Sequence, residues 1–81
     1  MASCLIVDDE PLSRDVLRKY IAEVQDLKLL GECRNASEAS HELNKAHVDI
    51  LFLDINMPGL SGISFARSLK VSPLIIFTTA Y

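Results

Sequence analysis

The chain has no basic patch. Its eight Lys and Arg residues are scattered over 81 positions, and the net charge is −3. That excludes the electrostatic footprint of a nucleic-acid or polybasic membrane surface. There are only two cysteines, Cys4 and Cys33. Both sit inside apolar runs without metal-ligand spacing, so they read as buried thiols in a reducing compartment rather than as a disulfide. No apolar stretch approaches the roughly 18 residues that a membrane span needs. A strand-like run begins within three residues of Met1, which leaves no room for a signal peptide, and a cytoplasmic location is expected. Repeats, low-complexity tracts and interdomain linkers are also missing, so one domain is expected. What the chain has in quantity is apolar: 49% of it is hydrophobic. That argues against disorder, although so short a chain can bury only a modest core.

The apolar pattern changes period repeatedly. Residues 4–7 form a continuous run of strand length. Pro11 falls at a natural first helical position. Leu12, Val16, Leu17, Tyr20, Ile21 and Val24 then recur at spacings of three and four, one apolar helix face with Arg14, Arg18, Lys19 and Glu23 opposite. Residues 27–33 read as a more polar strand at a sheet edge. Asn35, with Glu38 three residues on, has capping-box spacing ahead of a helix striped by Ala36, Ala39, Leu43 and Ala46. Residues 48–53 predict a third strand and residues 56–59 a turn. Ser61 or Gly62 opens a third helix carrying Ile63, Ala66 and Leu69. Ser72-Pro73 ends it, and residues 74–77 predict a fourth strand. The order β-α-β-α-β-α-β predicts an α/β fold, an open parallel sheet with crossover helices. With right-handed crossovers and sheet order 2-1-3-4, the first helix lies on one face and the other two on the opposite face.

Two of these strands end in acid. Residues 4–7 run into Asp8-Asp9 and residues 50–53 into Asp54, while the fourth strand ends in Thr78-Thr79. The switch point of the sheet falls between strands 1 and 3, and ligands bind at that edge of open α/β sheets. Three carboxylates and a hydroxyl would gather there. Like charges at close range disfavour joint ionisation unless a cation joins them. Hard carboxylate oxygens suit Mg2+, which takes one or two carboxylates plus waters and phosphate oxygens. A carboxylate beside that metal is a candidate nucleophile for a phosphoryl group. The plainer alternative is that Asp8 or Asp9 caps the following helix, whose dipole favours negative charge. For Asp54 the next helix starts several residues later, which weakens that alternative.

Three blocks, Leu5-Ile6-Val7-Asp8-Asp9-Glu10-Pro11, Leu53-Asp54-Ile55-Asn56-Met57-Pro58-Gly59 with Gly62 behind it, and Ile76-Phe77-Thr78-Thr79-Ala80, together resemble a response-regulator receiver domain. The blocks stand in the family's order and spacing over essentially the whole chain. The resemblance implies a flavodoxin-like receiver fold. Asp54 would be the phosphoacceptor for a sensor histidine kinase, and the Mg2+ ligands would be Asp9, Asp8 directly or through water, Asp54 itself, and the backbone carbonyl of Asn56. Thr79 would be the switch hydroxyl, with Thr78 as its less favoured neighbour, and Pro58 and Gly59 would shape the loop that holds Asp54. Phe77-Thr78-Thr79-Ala80-Tyr81, with Glu32-Cys33, is similar to receivers attached to LytTR-type DNA-binding domains.

A complete receiver is about half as long again, so the resemblance implies that residues 1–81 are an incomplete one. The fourth helix, fifth strand and fifth helix would be absent, together with the family's lysine; Lys70 lies on the wrong connection to replace it. An exposed fourth strand and a bare sheet face would then favour homo-oligomers or domain swapping. A competing reading is a phosphorylation-incompetent interaction module that keeps the acidic pocket. An aspartate-nucleophile hydrolase is disfavoured, because Asn56 occupies the position where those enzymes place a second acid. His41 and His47, six apart, have poor spacing for a shared metal and are expected at the surface. Met57 is expected to belong to the turn.

Overall fold

The computed structural model describes residues 1–57, 61–70 and 73–78. Four strands and three helices alternate: β1 (Ala2–Val7), α1 (Pro11–Ala22), β2 (Leu27–Cys33), α2 (Ala36–Lys45), β3 (Ile50–Asp54), α3 (Gly62–Ser68) and β4 (Leu74–Thr78). The sheet is parallel throughout, in the order β2-β1-β3-β4. This is the expected topology, with more polar β2 at one edge. β1 begins two residues before the apolar run, and β3 begins at Ile50, so Val48 and Asp49 belong to the approach rather than to the strand. The expected turn at Pro58-Gly59 and the break at Ser72 lie outside the described residues.

Strand alternation divides the core into two layers. Leu5, Val7, Leu51 and Leu53 pack with Cys33, Ala39, Leu43, Val48, Met57 and Phe65 on the α2/α3 face. Cys4 and Ile6 pack with Ile21 on the α1 face, joined by partly buried Leu17, Leu27, Leu29, Ile50 and Phe52. The two free cysteines are therefore buried in opposite layers. β1 is the hub: Cys4, Leu5, Ile6 and Val7 are all fully buried, as expected of a central parallel strand covered on both faces.

All three helix faces differ in part from their sequence reading. Among the six apolar residues assigned to one stripe of α1, Ile21 is buried and Leu17 is partly so, while Leu12, Val16, Tyr20 and Val24 are exposed. The stripe was wider than one contact surface, and the sheet takes only the side carrying Leu17 and Ile21. In α3, Phe65 is the buried anchor, with Ala66 and Leu69 packed beside it, while Ile63 is exposed. In α2, Ala46 is the exposed C-cap rather than part of the stripe.

Helix α2 has the expected N-cap: Asn35 Oδ1 accepts from the Glu38 N–H at 2.8 Å. The Glu38 carboxylate reaches back one residue further than in a capping box, accepting from the Arg34 N–H at 2.8 Å and from its guanidinium. At the opposite end of the sheet from the acids, Asp49 ties three elements together. Its Oδ2 accepts from the Ser3 N–H at 2.9 Å, its N–H donates to Ser3 O at 2.9 Å, and its carbonyl accepts from Leu74 N.

Candidate functional site

Asp8 leaves the end of β1 with both of its flanking peptides held. Its N–H donates to Cys33 O at 3.0 Å, continuing the β1–β2 ladder by one bond. Its carbonyl accepts from Arg14 Nη1 at 2.8 Å. Its side-chain Oδ1 accepts from the Glu10 N–H at 2.9 Å, closing a tight turn. Neither Asp8 nor Asp9 caps α1; Glu10 does, with Oε1 accepting from the Leu12 N–H. The capping alternative for the two aspartates therefore falls away. Asp8 is 5% exposed, while Asp9 faces solvent.

Asp54 ends β3, which lies between β1 and β4, and stands opposite Thr78 in register. Its Oδ1 accepts from the Asn56 N–H at 3.1 Å. The chain beyond it is held on three sides. The Ile55 N–H donates to Thr78 O, the Gly62 N–H donates to Ile55 O at 2.8 Å, and Met57 is buried in the α2/α3 layer. Met57, expected in a turn, is a buried core side chain, and the rest of that expected turn lies outside the described residues. Gly62 is needed for close approach: a Cβ there would collide with the Asp54 carbonyl oxygen and reach 3.0 Å from the Ile55 Cα.

The sheet brings Asp8, Asp9 and Asp54 together, with one carboxylate oxygen from each lying within 4.8 Å of the others. Two unit charges at such a separation repel by about 3–4 kcal/mol at an effective dielectric near 20. The Asp54 carboxyl accordingly titrates above the usual carboxylate range. Burial is the main cause, reinforced by the charges of Asp8 and Asp9 and opposed by the Asn56 N–H. Among the described residues no salt bridge reaches any of the three; Arg14 and Arg18 pair with Glu32 instead. Two buried acids and one exposed acid, converging without a cationic side chain, form a hard-oxygen donor set that fits a divalent cation.

Thr78 holds a second polar feature at this edge. Its Oγ1 is buried and has no hydrogen-bond partner among the described residues. Thr79, the sequence candidate for the hydroxyl, lies outside them. Asn56 is exposed, and its observed contribution is the N–H to Asp54. His41 and His47 are both exposed, as expected; His47 Nε2 lies 2.8 Å from Asp49 Oδ1, far from the acids in the fold. Sequence reasoning missed Arg14 and Glu32. Arg14 read as part of the polar face of the first helix, and only the α1–β2 packing brings it onto the Asp8 carbonyl and against Glu32.

The family model for the response regulator receiver domain matches residues 4–81. The transcriptional regulatory protein BtsR of Escherichia coli K12 is 45% identical across the whole of this chain, which spans 35% of that protein's length. Among solved structures, the response regulator TrrA of Thermotoga maritima, in complex with Mg2+-BeF, superposes with a TM-score of 0.84 at 36% identity. That match covers all of this chain and 71% of TrrA. RcsB of Salmonella enterica serovar Typhimurium, bound to promoter rprA with phosphomimetic BeF3−, superposes with a TM-score of 0.90 at 25% identity, again over all of this chain and 71% of its partner.

Proposed function

We propose, for a chain that belongs to the response regulator receiver domain family, that Asp54 accepts a phosphoryl group from a sensor histidine kinase in a Mg2+-dependent reaction. The observation that carries this reading is the convergence of Asp8, Asp9 and Asp54 at the switch point of the sheet. Receiver domains are signalling domains that bind Mg2+ in an acidic pocket. Here Asp9, Asp8 and Asp54 would hold the ion, with the backbone carbonyl of Asn56 as a further ligand. The ion, when bound, would offset the charge of the carboxylates and of the incoming phosphoryl oxygens. One Asp54 carboxylate oxygen attacks the phosphorus, the bond from phosphorus to the donor nitrogen breaks, and that nitrogen keeps the electron pair. The Asn56 N–H and the close packing of Gly62 orient the carboxylate for this attack. Thr79 would hydrogen-bond a phosphoryl oxygen and act as the switch hydroxyl.

Incubation with acetyl phosphate and Mg2+ tests the reading by intact mass. A single phosphoryl addition is expected, lost in Asp54→Asn and when Mg2+ is chelated. An addition that persists in Asp54→Asn would overturn the assignment.

Within a longer regulator, the proposed role is to control transcription through a DNA-binding domain of LytTR type. The wording around Glu32-Cys33 and residues 77–81, and the relation to a transcriptional regulatory protein, support that proposal. Residues 1–81 would contribute the β1–β4 part of the receiver and make no nucleic-acid contact themselves. No described helix is long and apolar enough to cross a membrane, and a cytoplasmic site of action is proposed from the family.

A second reading is favoured by β4. Leu74, Ile76 and Phe77 are 63%, 41% and 43% exposed, and among the described residues β4 pairs with β3 alone. An edge strand with apolar side chains on view is a template for association, and on this reading the chain is an oligomerisation module that keeps its acidic pocket. Metal binding without any phosphoryl addition would favour it over the first reading.

A further inference from the structure

We propose that Arg14 is a positioning residue for the metal site: it sets the Asp8–Asp9 peptide, and Glu32 on β2 holds it in place. The inference rests on the reading of the three carboxylates as a Mg2+ site. Arg14 sits on α1 and its side chain is 15% exposed. Its short hydrogen bond goes to a backbone atom, the Asp8 carbonyl, 2.8 Å from Nη1. That oxygen belongs to the planar unit joining the Cα atoms of Asp8 and Asp9. Fixing it fixes the direction in which both side chains leave the backbone. The preceding peptide is fixed independently by the Asp8 N–H on Cys33 O. Asp8 is thus clamped from both sides, and the turn that carries two of the three carboxylates has little freedom left.

Arg14 is itself steered. Its Nε lies 3.8 Å from Glu32 Oε1. Glu32 is gripped by Arg18, whose Nη1 donates to Oε1 and Oε2 at 3.2 and 2.9 Å, and Arg18 is held in turn by Asp15. The positive charge of Arg14 also helps lower the pKa of Glu38 on α2, behind larger effects from Arg34. Among the described residues the guanidinium pairs with Glu32 on β2 and with none of the three site carboxylates, and it touches the site through a carbonyl. It shapes the site without competing with a cation for the carboxylates. Outer groups that orient metal ligands usually matter about 10–100-fold in affinity.

Charge and position predict opposite signs, which makes the inference testable. Arg14→Gln makes the chain one unit more negative, so electrostatics alone would tighten cation binding. Its amide ends where Arg14 Nε stands, near Glu32 but short of the Asp8 carbonyl. Positioning instead predicts Mg2+ binding weakened about tenfold by isothermal titration calorimetry, with Arg14→Lys, which keeps a charge and a long donor, recovering most of the loss. Thermal melting without metal identifies the folded variants, and Arg14→Met, which keeps the buried stem, replaces Arg14→Gln if that chain is unfolded. Equal or tighter binding by the neutral variant overturns the inference. Wild-type Mg2+ binding that vanishes in Asp9→Asn, together with an unaffected Arg14→Gln, overturns this inference alone. A wild-type chain that binds no Mg2+ overturns the metal reading and this inference with it.

Discussion

Asp54 carries a cost in the free protein that the metal is suited to relieve. Its carboxyl titrates above the usual range because it is buried and faces Asp8 and Asp9. The native state therefore keeps this proton to a higher pH than the unfolded chain does. Below the unfolded value both states hold the proton and the burden is absent; it grows as pH rises from there through the raised native value, above which the free protein bears it in full. Asp54→Asn is expected to raise the melting temperature of the metal-free protein at neutral pH, because it removes the buried charge. The same variant should show a smaller stabilisation by Mg2+ than the wild type. Gly62 acts in the other direction. Gly62→Ala would push a methyl group into the Asp54 carbonyl, and overpacking of this kind costs about 1–3 kcal/mol. Its melting temperature should fall, and phosphoryl addition should slow because α3 can no longer close behind Asp54. The acids were legible in the sequence because each follows an apolar run. Arg14 was not, since its reach to a backbone carbonyl depends on how α1 rolls against the sheet.

Elements were legible where composition enforces one partner and ambiguous where it allows two. β1 is apolar on both sides and could only be central. α1, by contrast, offers apolar residues around a wide arc; Leu12, Val16 and Tyr20 have the same spacing as Leu17 and Ile21 and lost the competition for the sheet. No periodicity could decide between those faces. In α3 the single large ring of Phe65 takes the buried position and turns Ile63 outward. The strand starts also show how far local chemistry reaches. Asp49, outside β3, accepts from the Ser3 N–H and pairs with His47, and these contacts, the first foremost, hold its carboxyl below the usual range. A carboxylate with a depressed native pKa stabilises the fold above its unfolded value of about 3.9, and that contribution is lost as pH falls through the lower native value. Asp49→Asn is therefore expected to lower the melting temperature at neutral pH and to flatten its dependence on pH in the acidic range. Wild type and variant should converge once Asp49 is protonated in both the native and the unfolded wild type.

For the whole molecule, the sheet order fixed what the strands could build together. β1 and β3 are neighbours, so acids far apart in sequence end side by side, whereas the exposed edge at β4 follows from the same order. Sedimentation at micromolar concentration is expected to show self-association. Ile76→Lys, which places a charge on that edge, should shift the population toward monomer while leaving Mg2+ binding intact. A wild-type chain that sediments as a monomer throughout would remove the basis of the oligomerisation reading. The pairing of β1 with β3 also has a kinetic consequence. Asp8 and Asp54 meet only after β2 and α2 have been laid down between them and the long-range parallel pairing has closed, an event that topology makes late and slow. A ligand that needs all three carboxylates then has no partner in the folding transition state. Mg2+ should leave the refolding rate unchanged and slow unfolding, so the whole of its stabilisation would appear on one limb of the chevron.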